Sequence, residues 1–475
     1  MSTTQTKGII WSAIERFSGQ GIQFILSIII ARLVSPSDYG LIAMLTIFLS
    51  LAQSFIDSGF TNALIQKPNR TEVDFSTVFY FNIIISILVY IFFWICAPLI
   101  AIFYNEPLLT NIARLAGLNL IISAFTIVQR TKLTIALDFK TQAKVTIISV
   151  LCGGIAGVYL AWNNYGVWAL VCQSLLTSLL TSVLLWTNTH WKPLLTFSWQ
   201  SFRQLFTFGS RILLTGLLAT IYNNLYTLVI GKFFNSQNLG YYNRMNTIAS
   251  FPSSNITNII SRAVYPIQCN LQNNNEELKK EFFKLLRLSS FIIFPMMLGL
   301  AALAKPLVYV LLSEKWLPAA PLLTIICFAL MWNHIMFLNW QLLAVKGRSD
   351  LSFKSEILKK IVSVIILCVT IPFGVKVMCY GLICYSLFDM AIIIRFLKPI
   401  LSISYNDEIT LLLPIFILGI IMFGIITVFI HFVTNYYLQL LGGFIIGNII
   451  YIGAAYLLKF SELKYLLKKI GIKNL

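Results

Sequence analysis

The chain has 475 residues, of which 58% are hydrophobic and only 11% are charged. Soluble domains carry about 25% charged residues, so the composition excludes an ordinary soluble protein and indicates an integral membrane protein. The 35 Lys and Arg against 17 Asp and Glu give a charge of +18. In a membrane protein this excess is typical of cytoplasmic loops and contacts with membrane lipids, and we expect no nucleic-acid partner.

The apolar runs predict an all-α polytopic membrane protein with 12–14 transmembrane helices, because a span needs about 20 mostly apolar residues. The predicted spans cover residues 9–34, 40–66, 77–103, 112–137, 143–162, 166–186, 205–234, 240–266, 283–312, 319–345, 357–373, 378–397, 411–433 and 437–459. The predicted units are an N-terminal six-helix lobe (1–189), a cytoplasmic linker (190–204), a C-terminal six-helix lobe (205–400), and a helix pair with a basic tail (401–475).

The positive-inside rule orients these spans, because Lys and Arg collect in cytoplasmic loops. Basic residues occupy every second loop, and the intervening loops are short and nearly free of them. We therefore expect both termini in the cytoplasm and an even number of spans. The number of spans is twelve or fourteen, depending on whether the last pair, which is the weaker prediction, crosses the membrane.

A segment of the first block recurs in the second block. Residues 31–40 (ARLVSPSDYG) align with residues 231–240 (GKFFNSQNLG), each reading small, basic, apolar, turn and then glycine. Because six spans separate the copies, the two lobes have the same orientation and form a parallel, pseudo-symmetric repeat.

Polar residues line one face of the repeat-related spans 1, 2, 7 and 8. In spans 1 and 2 they are Ser12, Arg16, Gln20, Gln23, Ser27, Ser50, Ser54, Asp57 and Thr61. In spans 7 and 8 they include Arg211, Thr215, Asn223, Asn224, Asn243, Arg244, Thr247, Ser250, Ser254, Thr257, Ser261 and Arg262. Such faces hydrogen-bond to other helices or line an aqueous cavity. Four stripes on symmetry-related helices favour a central cavity.

Cations outnumber carboxylates within the spans, which suits an anionic ligand, and the planar guanidinium of Arg suits phosphate. The predicted substrate-binding residues are Arg16, Gln20, Gln23, Arg130, Arg211, Asn224, Arg244 and Arg262. Arg244 and Arg262 lie near helix ends and could instead reach lipid headgroups. Arg16 and Arg211 lie about two turns inside their spans, which favours a binding role.

Three carboxylates within the spans are candidates for ion coupling: Glu15, Asp57 and Asp389. A buried carboxylate can bind H⁺ or Na⁺ in a transporter, or it can neutralise a neighbouring Arg. The sequence leaves both readings open, and pairing is favoured for Asp389.

Catalytic signatures are missing from the sequence. It contains no GxxxxGK[ST], HExxH or GxSxG pattern, and its eight Cys lack CxxC spacing. We therefore expect no catalytic residues, no metal, no cofactor and no enzyme activity. A membrane glycosyltransferase or polysaccharide polymerase would need catalytic residues in sizeable external loops, and the predicted ones are a few residues long.

Several motifs resemble those of a known family. They are residues 31–40, Asp57-Ser58-Gly59, Ala63-Leu64-Ile65-Gln66, Leu137-Asp138-Phe139-Lys140, Gly166-Val167-Trp168-Ala169-Leu170 and Asn255-Ile256-Thr257-Asn258. Over nearly the whole chain, the sequence resembles bacterial polysaccharide exporters and O-antigen flippases, the Wzx-type branch of the multidrug/oligosaccharidyl-lipid/polysaccharide (MOP) superfamily.

The resemblance implies two six-helix lobes around a central cationic cavity lined by spans 1, 2, 7 and 8. It implies an inner-membrane flippase that moves oligosaccharides on undecaprenyl diphosphate to the periplasmic leaflet by alternating access. Coupling to H⁺ or Na⁺ and polysaccharide assembly proteins as partners are implied in the same way. The first alternative is a drug or small-solute antiporter of the same superfamily, and the excess of Arg argues against it. The second and less favoured alternative is a membrane polysaccharide polymerase or glycosyltransferase.

Overall fold

The computed structural model describes residues 19–469, with the backbone alone at residues 262, 263 and 469. All regular structure in this part of the chain is helical, so the predicted all-α class is confirmed. The chain divides into two compact units, Met1–Gly240 and Tyr241–Leu475.

The first unit contains helices α1 to α10. They are α1 (Gly19–Leu33), α2 (Pro36–Asp57), α3 (Phe60–Gln66), α4 (Glu72–Tyr104), α5 (Leu109–Ala116), α6 (Leu118–Ile135), α7 (Phe139–Trp162), α8 (Val167–Thr189), α9 (Trp199–Asn223) and α10 (Leu225–Phe233). Several predicted spans consist of two consecutive helices: span 2 is α2 and α3, and span 7 is α9 and α10.

The second unit contains the remaining helices, and its first residue, Tyr241, lies within α11. The helices are α11 (Ser236–Asn270), α12 (Asn275–Ala302), α13 (Ala304–Leu312), α14 (Ala320–Leu330), α15 (Asn333–Val345), α16 (Ser349–Thr370), α17 (Val375–Leu401), α18 (Tyr405–Phe432), α19 (Tyr436–Leu457) and α20 (Ser461–Lys469). Short 3₁₀ turns occupy Glu314–Ala319 and Ile371–Phe373.

Eleven helical segments of the described chain are long and apolar enough to cross a membrane. Helices also occupy the three remaining predicted spans: α1, the polar α11, and α16 with its charged first turns. The final pair is as apolar as the other membrane-length helices, because the mean hydropathy is 2.8 for α18 and 1.8 for α19. The protein is therefore a multi-pass membrane protein.

Several helices begin earlier than their apolar runs. The helices α9, α12 and α18 start at Trp199, Asn275 and Tyr405, whereas the spans were predicted from 205, 283 and 411. In each, the preceding residue accepts a hydrogen bond from a backbone N–H of the first turn through its side chain, and these caps are Ser198, Asn274 and Ser404. Capping thus extends the helix into polar sequence that hydropathy assigns to loops.

The predicted linker 190–204 is bound to the first unit. Trp191 is buried and its indole N–H donates to Glu72 Oε2 at 2.6 Å, while Lys132 Nζ lies 2.7 Å from Glu72 Oε1. The backbone N–H groups of Leu194 and Ser198 donate to the hydroxyls of Ser76 and Thr77. These contacts hold the linker against α4 and α6 and position the start of α9.

Candidate functional site

Span 2 is interrupted where it meets α9. Ser58 and Gly59 both have left-handed backbone conformations, with φ of 45° and 72°, and they separate α2 from α3. A Cβ added to Gly59 would overlap the carbonyl oxygen of Gly209. The interruption therefore packs backbone against backbone on α9, and only glycines permit this approach.

Two predicted site residues lie beside this contact. Asp57 is the last residue of α2 and is half-buried, and its Oδ1 accepts a hydrogen bond from the Thr61 hydroxyl at 2.6 Å. Arg211 follows Gly209 by two residues and is exposed. No ion pair joins either of them to another side chain described in residues 19–469.

Arg211 occupies the middle of a membrane-length helix. It lies halfway along α9, about 18 Å from either end at about 1.5 Å rise per residue. The predicted span begins at residue 205, so Arg211 lies about two turns, or about 9 Å, inside the apolar part of α9. A guanidinium that faces lipid within the span is penalised by at least about 2.5 kcal/mol.

The remaining first-unit candidates have different surroundings. Gln20 and Gln23 are exposed on α1, and Arg130 is exposed near the C-terminal end of α6. Asn224, at the break between α9 and α10, is half-buried and its amide donates to Thr220 O at 2.9 Å. Arg130 is close enough to the end of α6 to reach headgroups.

Three of the candidates belong to the second unit, and two others precede the described residues. Arg244 is 4% exposed on α11. The backbone of Arg262 is helical, but its side chain is outside the described part, as are Glu15 and Arg16 altogether.

Asp389 is ion-paired. Its Oδ1 lies 2.8 Å from Lys359 Nζ, which also lies 3.2 Å from Glu356 Oε1. Lys359 and Asp389 are both buried, where α16 packs against α17. The pairing alternative is thus observed, with a Lys in place of the expected Arg. Lys359 is not among the predicted site residues, although a charge within the predicted span 357–373 is a signal for it.

Many polar residues of the stripes hydrogen-bond to their own helices. Ser54 donates to Ser50 O at 2.9 Å, and Thr247 donates to Asn243 O at 2.9 Å. Helix-to-helix bonds also occur, as from Ser253 to Leu330 O at 3.0 Å. The stripe pattern therefore contains both backbone-bonded hydroxyls and exposed groups such as Arg211.

An apolar groove of about 810 Å³ lies on the first unit between α2, α4 and α10. It is lined by Phe48, Leu51, Ala52, Phe55, Leu88, Val89, Phe92, Phe93, Cys96, Leu99, Ile100, Phe103 and Leu228. It follows α4 from Leu88 to Phe103, about 22 Å. At one end the exposed Lys232 donates to Phe103 O at 2.6 Å, with its Nζ 4.6 Å from the Phe103 ring. The groove therefore combines an apolar wall with a cation at its rim.

Comparisons with known proteins agree with this architecture. Residues 29–321 match the family model described as "Polysaccharide biosynthesis protein". The chain is 26% identical to the teichuronic acid biosynthesis protein TuaB of Bacillus subtilis (strain 168), over 73% of this chain and 72% of that protein. It is 25% identical to the lipopolysaccharide biosynthesis protein WzxC of Escherichia coli (strain K12), over 74% of this chain and 72% of that protein.

A solved structure shares the fold. It is the lipid II flippase MurJ in an inward closed conformation, which superposes with a TM-score of 0.76 at 13% sequence identity, covering 95% of this chain and 99% of that one. These matches agree with the resemblance to Wzx-type polysaccharide exporters. The chain belongs to the polysaccharide biosynthesis protein family and has the MurJ-like transporter fold.

Proposed function

We propose that the protein is a flippase for undecaprenyl-diphosphate-linked oligosaccharides, which it moves from the cytoplasmic to the periplasmic leaflet of the bacterial inner membrane by alternating access. The names of WzxC, a lipopolysaccharide biosynthesis protein, and of MurJ, a lipid II flippase, support a lipid-linked glycan as cargo. In this proposal both termini are cytoplasmic, an H⁺ or Na⁺ gradient drives the cycle, and polysaccharide assembly proteins receive the product.

The observation that carries the proposal is the exposed Arg211 at the middle of α9. A charge at this depth needs water or a ligand, and no described carboxylate pairs with it. A diphosphate is a suitable ligand because guanidinium groups contact phosphate oxygens two at a time. In this account Arg211 binds the diphosphate together with Arg16, while Arg130 or Arg262 lies at the mouth.

In this account, exposed amide side chains of the first unit contact the sugars. Gln20 and Gln23 are exposed on α1, and Asn223 is exposed at the end of α9. Amides both donate and accept hydrogen bonds, so they suit the hydroxyls of a glycan. Asn224 and Arg244 complete the proposed binding residues, and Asp57 and Glu15 remain candidates for ion coupling.

The apolar groove suits the prenyl chain of the same substrate. Its wall includes side chains that are largely exposed in the protein, such as Phe92 at 68% and Leu99 at 63%, so the groove is open to the bilayer. In the proposed orientation it extends from the middle of α4 to the periplasmic end, where Lys232 would meet the diphosphate once it has left Arg211. A prenyl diphosphate has this combination of an apolar chain and a negative head.

The test is the sidedness of the lipid-linked oligosaccharide that accumulates in cells lacking the protein. An impermeant glycan-modifying enzyme is added to spheroplasts, which expose the periplasmic face, or to inverted vesicles, which expose the cytoplasmic face. We expect finished units to accumulate on the cytoplasmic face. Finished but unpolymerised units on the periplasmic face would contradict the proposal and indicate a polymerase. Drug hypersensitivity with normal glycans would indicate an antiporter.

A further inference from the structure

Polar side chains on α15 meet three neighbouring helices inside the second unit. His334 shares a hydrogen bond with the Ser290 hydroxyl of α12 at 2.8 Å, and Gln341 donates to Gln268 Oε1 of α11 at 2.7 Å. Between them, Asn339 donates to Glu408 Oε2 of α18 at 3.2 Å. The last of these bonds involves a carboxyl group and needs a separate explanation.

Glu408 is completely buried, with 0% of its surface exposed, and so is Asn339. The Asn339 amide nitrogen also donates to Ile335 O at 3.0 Å. Two buried oxygens then have no hydrogen-bond partner among the described residues: Glu408 Oε1 and Asn339 Oδ1. The pair thus has more acceptors than donors.

Among the described residues, no cation balances this carboxyl group. The charged or titratable groups on helices near the start of α18 include Asp407 on α18, Lys279 and Arg287 on α12, His334 on α15, Arg395 and Lys398 on α17, and Glu462 on α20. Lys279 lies 3.6 Å from Asp407 and donates to Ser402 O, and Arg287 pairs with Glu462. Within the described part of the chain, no Lys, Arg or His comes within 4.0 Å of Glu408.

A buried carboxylate without a cation is strongly disfavoured, because one amide hydrogen bond does not replace the lost hydration. Protonation removes the charge and turns one carboxyl oxygen into a donor, which corrects the shortage of donors. From this geometry we propose that Glu408 is a proton-binding residue, protonated while it is buried against Asn339 and deprotonated when α18 separates from α15. Its part in transport rests on the proposed flippase function, whereas the bound proton does not.

The position of Glu408 favours exchange with solvent. It lies in the first turns of α18, directly after the exposed Asp407. The start of α18 is held by the reciprocal cap between Ser404 and Asp407 and by Lys279 of α12. A small movement of this helix start would expose Glu408 to water on the side proposed to be cytoplasmic.

Protonation of Glu408 is tested on the purified full-length protein by infrared spectroscopy of the carboxyl C=O stretch. This measurement needs no substrate. At neutral pH we expect a protonated-carboxyl band that Glu408→Gln removes. Glu462→Gln is the matched control, since Glu462 is also buried but pairs with Arg287, and this variant should leave the band unchanged. A spectrum that is the same in wild type and Glu408→Gln would overturn the proposal.

Coupling is tested in proteoliposomes containing a lipid-linked oligosaccharide, with and without an imposed pH gradient. We expect the gradient to accelerate translocation by the wild type and to leave the rate of Glu408→Gln unchanged. Equal acceleration in both proteins, or acceleration by Na⁺ alone, would overturn the coupling role. If the wild type moves no substrate, the flippase proposal fails. The infrared result still shows whether Glu408 is protonated.

Discussion

Gly40 of α2 and Gly240 of α11 each lie against the start of the other's helix. A Cβ added to Gly40 would overlap the carbonyl oxygen of Ser236, and one added to Gly240 would overlap that of Pro36. The hydroxyls of Ser37 and Ser236 lie 2.8 Å apart beside this contact. These residues belong to the two copies aligned in the sequence, so the glycine that ends each copy allows the copies to pack reciprocally.

Replacing either glycine with alanine should therefore destabilise the protein. The added methyl group meets backbone rather than a flexible side chain, so the helices must move apart, at a cost of at least about 2 kcal/mol. Thermal unfolding of purified Gly40→Ala and Gly240→Ala should show lowered midpoints. Gly216→Ala on α9 is the control, because nothing in the described chain lies within 4 Å of its added Cβ. An unchanged midpoint for Gly40→Ala would contradict the reciprocal contact.

Arg211→Ala should lower translocation at least about 10-fold, because a hydrogen bond to a charged group contributes about 1.5–3 kcal/mol. Arg211→Lys should keep part of the activity, since it retains the charge but loses the planar fork. Translocation is measured at matched protein levels in the membrane. Arg203→Ala, which removes an exposed Arg near the start of the same helix, should be almost silent. Full activity in Arg211→Ala would exclude this residue from the site.

The pair of Lys359 and Asp389 predicts a non-additive effect on stability. Asp389→Asn leaves a buried Lys with weaker compensation, and Lys359→Met leaves a buried carboxylate, so each should cost about 3 kcal/mol. The double variant Lys359→Met/Asp389→Asn should recover most of this loss, because it removes both charges. Unfolding of the four proteins gives the coupling energy. Strictly additive losses would mean that the 2.8 Å contact is energetically unimportant.

The groove predicts a dependence on the length of the prenyl chain. Leu228→Trp should fill part of the groove and slow translocation of an undecaprenyl substrate about 10-fold, equivalent to losing contact with about two CH₂ groups. A short-chain prenyl analogue should be moved as by the wild type. Leu218→Trp alters an exposed residue of α9 outside the groove and should affect neither substrate. Equal slowing of both substrates by Leu228→Trp would argue against the prenyl chain as occupant.

Hydropathy predicted the helices well because an apolar run of membrane length has few alternatives to a helix. It failed at polar helix ends. Residues 405–410 are not part of an apolar run, so hydropathy predicts a loop there and misses Glu408, which is fully buried. The Ser404 and Asp407 capping box is a sequence pattern that predicts the true start of α18.

The candidate site was predictable only in part. A charge in an apolar span identified Arg211 and Asp389, but the partner of Asp389 lies on another helix, and no local spacing connects it to Lys359. Polar stripes were ambiguous for a different reason. A Ser or Thr on a helix can bond to its own backbone, as Ser54 does, so periodicity alone cannot separate such residues from a cavity lining.

The most direct measurement of the central claim uses purified protein in liposomes with a labelled undecaprenyl-diphosphate oligosaccharide. An impermeant glycan-modifying enzyme outside the vesicles reports how much substrate becomes accessible with time. We predict that wild type exposes nearly all of the substrate, while Arg211→Ala and empty liposomes leave the inner-leaflet share protected. Equal protection in wild-type and empty liposomes would contradict the flippase function.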